Sequence, residues 1–199
     1  LGVLSLFCTL PIGEKRARGA NRPTWGRFWS VATKPSLLLV SLLAALDQYA
    51  FHTTIQGFIP LYANELGASA TVLGWLASAT LIPYLLMSLT AAGLAARMGE
   101  LRTVSMGLFI GFVAVFAVPW VQNVPLLVVM RVLHGVGRAL VYPVTMGLSI
   151  KGVPQEERAT AMGVFQAVYS LGMFAGPAFS GLIAQSWGLS TVFWMTGVL

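Results

Sequence analysis

An all-α membrane protein, built as a helical bundle of about six transmembrane helices, is the fold that this sequence predicts. Three observations carry that expectation. Charged residues are 9% of the chain, hydrophobic residues 57%, and mean hydropathy is +0.80, whereas a soluble domain is about 25% charged. The apolar residues fall into windows at about 36–61, 70–95, 103–121, 126–150 and 159–185, with a truncated one at 190–199; a helix crosses the hydrocarbon core in about 20 residues. The cations between these windows are segregated to alternate loops. The short alternating strands of an outer-membrane barrel are missing from the pattern.

Taken in order, residues 1–12 are apolar but lack a charged leading segment and an A-x-A cleavage pattern. They read as the tail of a preceding transmembrane helix and not as a signal peptide. Residues 13–35 are polar and basic, with Gly and Pro, and read as a cytoplasmic linker. The chain opens in one apolar run and stops in another, which reads as a fragment of a longer protein. Cys8 is the only cysteine, so no intrachain disulfide or cysteine-based metal cluster is expected.

Span 36–61 carries Asp47, Gln48, His52, Thr54 and Gln56, an unusual polar load for a membrane helix. Span 126–150 carries Arg131, His134, Arg138, Tyr142, Thr145 and Ser149. At about 100° per residue these six fall within an arc of roughly 80°, opposite an apolar face. A cation at the centre of a bilayer costs from about 2.5 to more than 10 kcal/mol, so such a stripe must face a polar partner or a water-filled cavity. Span 159–185 adds Gln166 and Tyr169, which read either as cavity residues or as interhelical hydrogen-bonding groups.

Ten of the twelve Lys and Arg residues lie in loops on one side: Lys15, Arg16, Arg18, Arg22, Arg27 and Lys34, then Arg97 and Arg102, then Lys151 and Arg158. The opposite loops, near 62–69, 121–125 and 186–189, hold no Lys or Arg. Under the positive-inside rule the basic loops are cytoplasmic. The net charge of +6 is thus a matter of topology and anionic lipid, and nucleic-acid binding is not expected.

Two stretches repeat. Ala70-Thr71-Val72-Leu73-Gly74-Trp75 is echoed by Ala159-Thr160-Ala161-Met162-Gly163-Val164, and Gly93-Leu-Ala-Ala-Arg-Met-Gly99 by Gly181-Leu-Ile-Ala-Gln-Ser-Trp-Gly188. A unit with an odd number of spans must be followed by an inverted copy, so the expected architecture is two inverted three-helix repeats.

Three motifs sit on this frame. Gly93-x-x-x-Arg97-x-Gly99-x-x-Arg102 forms a short cytoplasmic turn, its glycines allowing a tight reversal and its arginines facing helix carboxyl ends. Arg131-x-x-His134-Gly135-x-Gly137 opens the striped helix. Gly172-x-x-x-Gly176-Pro177-x-x-x-Gly181 offers small residues for close helix packing and a proline that kinks the helix. In this order and spacing the chain, from Pro35 onward, resembles the major facilitator superfamily. The basic linker before the first full span, and the Glu157-Arg-Ala-Thr-Ala-Met-Gly163 run, resemble the C-terminal half, helices 7–12, of a twelve-helix secondary transporter or efflux protein. One departure stands out: Ala96 occupies the place of the acid that usually precedes the turn arginine.

The resemblance implies that spans 36–61 and 126–150 line a central cavity, with an N-terminal six-helix half supplying its other wall. Counting about 1.5 Å per residue from the basic ends, Asp47 and Arg138 lie roughly 16 and 18 Å deep. His52 and His134 both fall near 24 Å, and Gln56 and Arg131 near 29 Å. Asp47 with Arg138 is the expected midplane ion pair, read either as a proton- or substrate-coupling group or as a static structural pair. His52 and His134 read equally as a proton relay or as packing groups. Asp47 and His52 are about 140° apart on an ideal helix, so both cannot face one narrow line.

Enzymatic motifs are lacking: no H-E-x-x-H, nucleophile elbow or phosphate-cradling loop occurs. No cofactor or metal is expected beyond a proton as coupling ion. The expected function is secondary transport of a small molecule across the plasma (inner) membrane by alternating access, as proton-coupled efflux. A nutrient importer or facilitator of the same fold, and a non-transporting membrane sensor or scaffold, are the alternatives.

Overall fold

The computed structural model describes residues 25–199, so the expected helix tail at 1–12 and Lys15, Arg16, Arg18 and Arg22 lie outside the described residues. Among the described residues all regular structure is helical. A short helix α1 (Trp25–Ala32) precedes α2 (Pro35–Phe51), which widens into a π-helical segment, His52–Phe58, and continues as α3 (Ile59–Glu65). These last three make one 31-residue span. There follow α4 (Ala70–Met98), α5 (Glu100–Phe116), α6 (Val124–Ile150), α7 (Arg158–Trp187) and the shorter apolar α8 (Leu189–Val198). Among the described residues, five spans are long and apolar enough to cross a membrane.

Local chemistry sets the boundaries. Pro35 occupies the first turn of α2 behind an extended Lys34 (ψ 120°), where its missing N–H is no loss. Asn123 accepts a hydrogen bond from the Leu126 N–H at 2.9 Å and so caps α6. A single glycine joins α4 to α5 and another joins α7 to α8: Gly99 at φ 93° and Gly188 at φ 84°. Both donate their N–H to the carbonyl four residues back, Ala95 and Ala184 respectively. Only glycine takes that backbone conformation without strain, so one helix can stop and the next begin at once.

These matching joints lie at equivalent points of the sequence repeat, and the packing follows the same exchange. Swap α2 with α6, α4 with α7, and α5 with α8. The α4–α6 contact then becomes α7–α2, and the α4–α5 contact becomes α7–α8. The α2–α6 and α5–α8 contacts map onto themselves. These contacts follow the pattern of two inverted three-helix units, whereas the extensive α5–α6 contact has only a weak counterpart in α2–α8 and the α6–α7 contact has no comparable one in α2–α4.

Small residues let the major pairs approach. Gly172 and Gly176 of α7 lie against the backbone of α2, where a Cβ would run into the carbonyl oxygens of Ala45 and Tyr49. Gly135 of α6 is pressed in the same way against the Thr80 carbonyl of α4. A Cβ at Gly137 would meet the Gly107 carbonyl oxygen of α5 at 2.7 Å. Gly181 does not belong with them: open space surrounds it, because it falls on the outer face of α7. Pro177 is exposed, and α7 runs through it as one continuous helix.

One end of the bundle is tied by Lys34–Glu157 at 3.3 Å and Lys151–Glu100 at 2.6 Å. At the other end the Tyr62 hydroxyl donates to the Val121 carbonyl at 2.8 Å and its ring packs edge-on to Phe193. Leu85 and Leu89 of α4, and Phe174 and Leu182 of α7, are exposed, as apolar lipid-facing residues are. Within the expected linker at 13–35, Trp25–Ala32 is helical. Val31 and Ala32 are buried beside Val164 and Phe165 of α7, and Trp25, Phe28 and Trp29 pack on one another. Two turns of amphipathic helix are too short to stand out against a basic, proline-containing stretch.

Gly172→Leu should separate α7 from α2 and lower the thermal midpoint of the detergent-solubilised protein by many degrees, or abolish folding. Gly181→Ala, with free space and a better helix former, should match the wild type or exceed it by about 0.5–1 kcal/mol. Equal tolerance at the two positions would show that this packing is wrong.

Candidate functional site

Arg138 and Asp47 meet where α6 crosses α2. The Arg138 Nη1 lies 3.3 Å from Asp47 Oδ2, with both side chains under one-tenth exposed. Neither of those atoms has an aligned hydrogen bond among the described residues, so the contact is charge attraction without a fixed geometry. The aligned bond goes elsewhere: Arg138 Nη2 donates to the Gln48 side-chain oxygen at 2.5 Å. The guanidinium carbon stands 3.5 Å from the centre of the Phe51 ring, 5.4 Å from that of Tyr142 and 5.9 Å from that of Tyr84. A desolvated cation against aromatic faces gains about 2 kcal/mol. Arg138 is therefore held by one carboxylate, one amide and three rings. The pair also borders a cavity lined by Asp47, His134 and Arg138 together with Gly107, Gly111 and Phe112.

The second level of the site is arranged differently from the depth arithmetic. His134, buried, lies 3.5 Å from the Thr54 hydroxyl, not opposite His52. His52 turns back along its own helix, its Nδ1 3.0 Å from the Gln48 carbonyl and its ring edge-on to Phe51. The cause is the π-helical segment, in which the Ile59 N–H reaches back to Thr54. One extra residue per turn shifts every later side chain around the axis. His52, Thr53 and Thr54 are buried in succession along it. Thr53 and Tyr49 both reach Ser180 of α7, at 3.2 and 2.9 Å.

At the third level the expected partnership fails. Gln56 is exposed, whereas Arg131 is 2% exposed and sits against Ile59, Pro60, Leu73, Leu76 and Ala77. The same register shift carries Gln56 past the α6 contact. Tyr142 and Tyr169 do meet, edge-on at 6.0 Å, and Phe165 backs Tyr169. Gln166 is exposed and joins none of these groups.

The turn motif is at the basic end. Gly99 makes the reversal, while Gly93, Arg97 and Arg102 are exposed. Beyond the turn, Glu100 opens α5 and bridges to Lys151 at the end of α6. Sequence reasoning left out Phe51, Tyr84 and Ser180, and it counted Gln48 and Thr54 only in the polar load of their span, without giving them a partner. Gln48 carried a signal, being polar and next to Asp47; the rings and hydroxyls converge only through the fold. No group of three or more His, Cys, Asp or Glu that could hold a metal occurs among the described residues.

A multi-pass helical membrane protein with a buried ion pair between its first and fourth spans is what this geometry defines. The sequence model of the Major Facilitator Superfamily matches residues 37–199, and the chain belongs to that family. It is 30% identical over 173 residues to the tetracenomycin C resistance and export protein of Streptomyces glaucescens, a match covering 85% of this chain and 30% of that protein. It is 27% identical over 127 residues to the quinolone resistance protein NorA of Staphylococcus aureus (strain MRSA252), covering 64% of this chain and 33% of NorA. The chain thus spans about a third of the length of the curated relatives that it matches.

Phe51→Leu keeps apolar volume but removes the π face beneath Arg138, and should destabilise the protein by about 1–2 kcal/mol. Tyr84→Phe keeps its ring and should be close to neutral. Thermal denaturation of the two variants in the same detergent reads the difference.

Proposed function

We propose that the chain is one six-helix half of a secondary transporter that exports small, drug-like molecules by alternating access, coupled to protons through Asp47. The observation that carries this reading is the Asp47–Arg138 contact: a buried, unaligned pair whose cation already has a second acceptor in Gln48. Protonation of Asp47 would leave Arg138 bonded to Gln48 and covered by Phe51, so the charge state can change without collapse of the site. A pair meant only as a brace would gain from aligned, bidentate bonds. The resistance and export proteins among the relatives favour efflux over import.

Inverted repeats with an ionisable site at the bilayer midplane are the usual build of alternating-access transporters. The second bundle, the N-terminal half, would supply the other cavity wall and cover part of the exposed α4 and α7 faces. The basic ends of α1, α2, α4, α6 and α7 would be cytoplasmic, in the plasma (inner) membrane, with Gly93, Arg97, Gly99 and Arg102 in the gating turn. His134, with its Thr54 contact, would relay protons toward the pair, and Tyr142 and Tyr169 would line the path.

Cells expressing the full-length protein should accumulate less of a quinolone probe than control cells, and a protonophore should abolish the difference. Asp47→Asn should export nothing at normal membrane abundance. Export by that variant that still collapses with the protonophore would place coupling elsewhere.

On a Cys8→Ser background, Asn64→Cys should react with an impermeant maleimide in whole cells and Glu156→Cys should not. Labelling in the reverse sense would invert the topology.

A further inference from the structure

Five buried side-chain polar atoms have no hydrogen-bond partner among the described residues, and three of them share one place. Asp47 Oδ2, Arg138 Nη1 and the Thr196 hydroxyl belong to residues that line a single cavity between α2, α5, α6 and α8. Thr196 is 3% exposed. A threonine in a span usually turns its hydroxyl back onto its own helix, as Thr145 does with the Val141 carbonyl; Thr196 does not. Each buried polar group left unmet costs about 1–3 kcal/mol, and three such groups around one space point to a shared partner.

The size and charge of the cavity select that partner. Its volume of about 60 Å³ takes a few water molecules and no drug-sized substrate. A carboxylate and a guanidinium on the same wall leave it near neutral, which favours water over an ion of either sign. The carboxylate oxygen, the guanidinium N–H and the hydroxyl supply the roughly two to four polar contacts that a buried water needs. Leu46, Ala50 and Val115 complete the lining with apolar surface. None of the lining comes from α4 or α7, the helices that carry Tyr84 and Tyr169. The cavity therefore meets the pair from another side than those tyrosines.

Resting on the proton-coupled reading above, we propose that this cavity is a hydration site, a small cluster of water through which Asp47 exchanges its proton. A hydronium in the cluster gives its proton to Asp47 Oδ2 and becomes water; release is the reverse, and no other bond is made or broken. The titratable and charged groups around Asp47 are Arg138 and His134 of α6 and His52 of its own span. Tyr84 faces Arg138 from α4, and α7 brings Tyr169 against Tyr142. The cavity walls from α5 and α8 carry no titratable side chain.

Infrared difference spectra of the purified full-length protein, taken between acidic and alkaline buffer, test this. The wild type should show a carboxyl band that Asp47→Asn removes and a bound-water band that shifts in oxygen-18 water. Gly111 lines the cavity, and a Cβ there would meet no atom within 4 Å, so Gly111→Leu fills the space without striking backbone. That variant should lose the water band and slow deuterium exchange of the Asp47 carboxyl at least about tenfold. Should it fail to fold, Thr196→Val provides the second arm. It keeps the side-chain shape but removes one partner of the water, and should shift the water band and slow exchange by a smaller factor.

A carboxyl band without a bound-water band, or exchange at the wild-type rate in both variants, would overturn the inference and leave coupling at Asp47 standing. Bound water without any carboxyl band that Asp47→Asn removes would mean that Asp47 takes no proton. That result overturns the coupling reading, and the exchange route with it.

Discussion

Hydrocarbon does not solvate a guanidinium, and the centre of this bundle is organised around that constraint at Arg138. No acid lies on its own helix, so its opposite charge must come from a neighbouring span. Asp47 supplies the opposite charge, Gln48 the aligned acceptor, and Phe51, Tyr84 and Tyr142 the polarisable cover. These five groups come from α2, α4 and α6. Three helices must therefore hold a common register to within the reach of one arginine. Buried pairs contribute little to net stability over an apolar core, but leaving one charge unpaired costs several kcal/mol. Such an arrangement selects one register among the many that interchangeable Leu and Val faces would allow.

That register depends on backbones approaching closely enough for side chains of ordinary length to meet. Gly135 and Gly137 bring α6 against α4 and α5, and Gly172 and Gly176 bring α7 against α2. In a bilayer, where burying apolar surface gives little advantage, packing and interhelical polar contacts are what hold spans together. The glycine contacts and the polar contacts thus reinforce each other. Ser180 reaches Tyr49 and Thr53 across the same α2–α7 seam that Gly172 and Gly176 close.

Much of the fold was legible because a membrane leaves few choices. Long apolar windows become helices, glycines at matched places become joints, and the sequence repeat becomes an exchange of packing partners. The ion pair was legible for a similar reason: two opposite charges at equal depth on antiparallel spans have few other places to go. The π-helical segment was not. Nothing in His52-Thr53-Thr54-Ile55-Gln56 announces an i→i+5 pattern, yet it moved His134 from His52 to Thr54 and turned Gln56 outward. The aromatic cover of Arg138 was hidden too, since Phe51 and Tyr84 look like ordinary span residues until two helices set them around one cation. Helix α1 was lost among linker features because two turns carry too little periodicity.

The account depends most on Asp47 and Arg138 being partners in the folded protein, and a double-mutant cycle measures that partnership directly. Unfolding free energies of the full-length protein, of Asp47→Asn, of Arg138→Gln and of the double variant give the coupling term. Arg138→Gln should cost about 3–5 kcal/mol, because it strands the buried Asp47 charge; Asp47→Asn should cost less, because Gln48 and Phe51 still hold Arg138, and the double change should recover most of the Arg138→Gln loss. Additive losses in the double variant would mean that the two residues do not sense each other, and the site would have to be rebuilt around a different partner for Arg138.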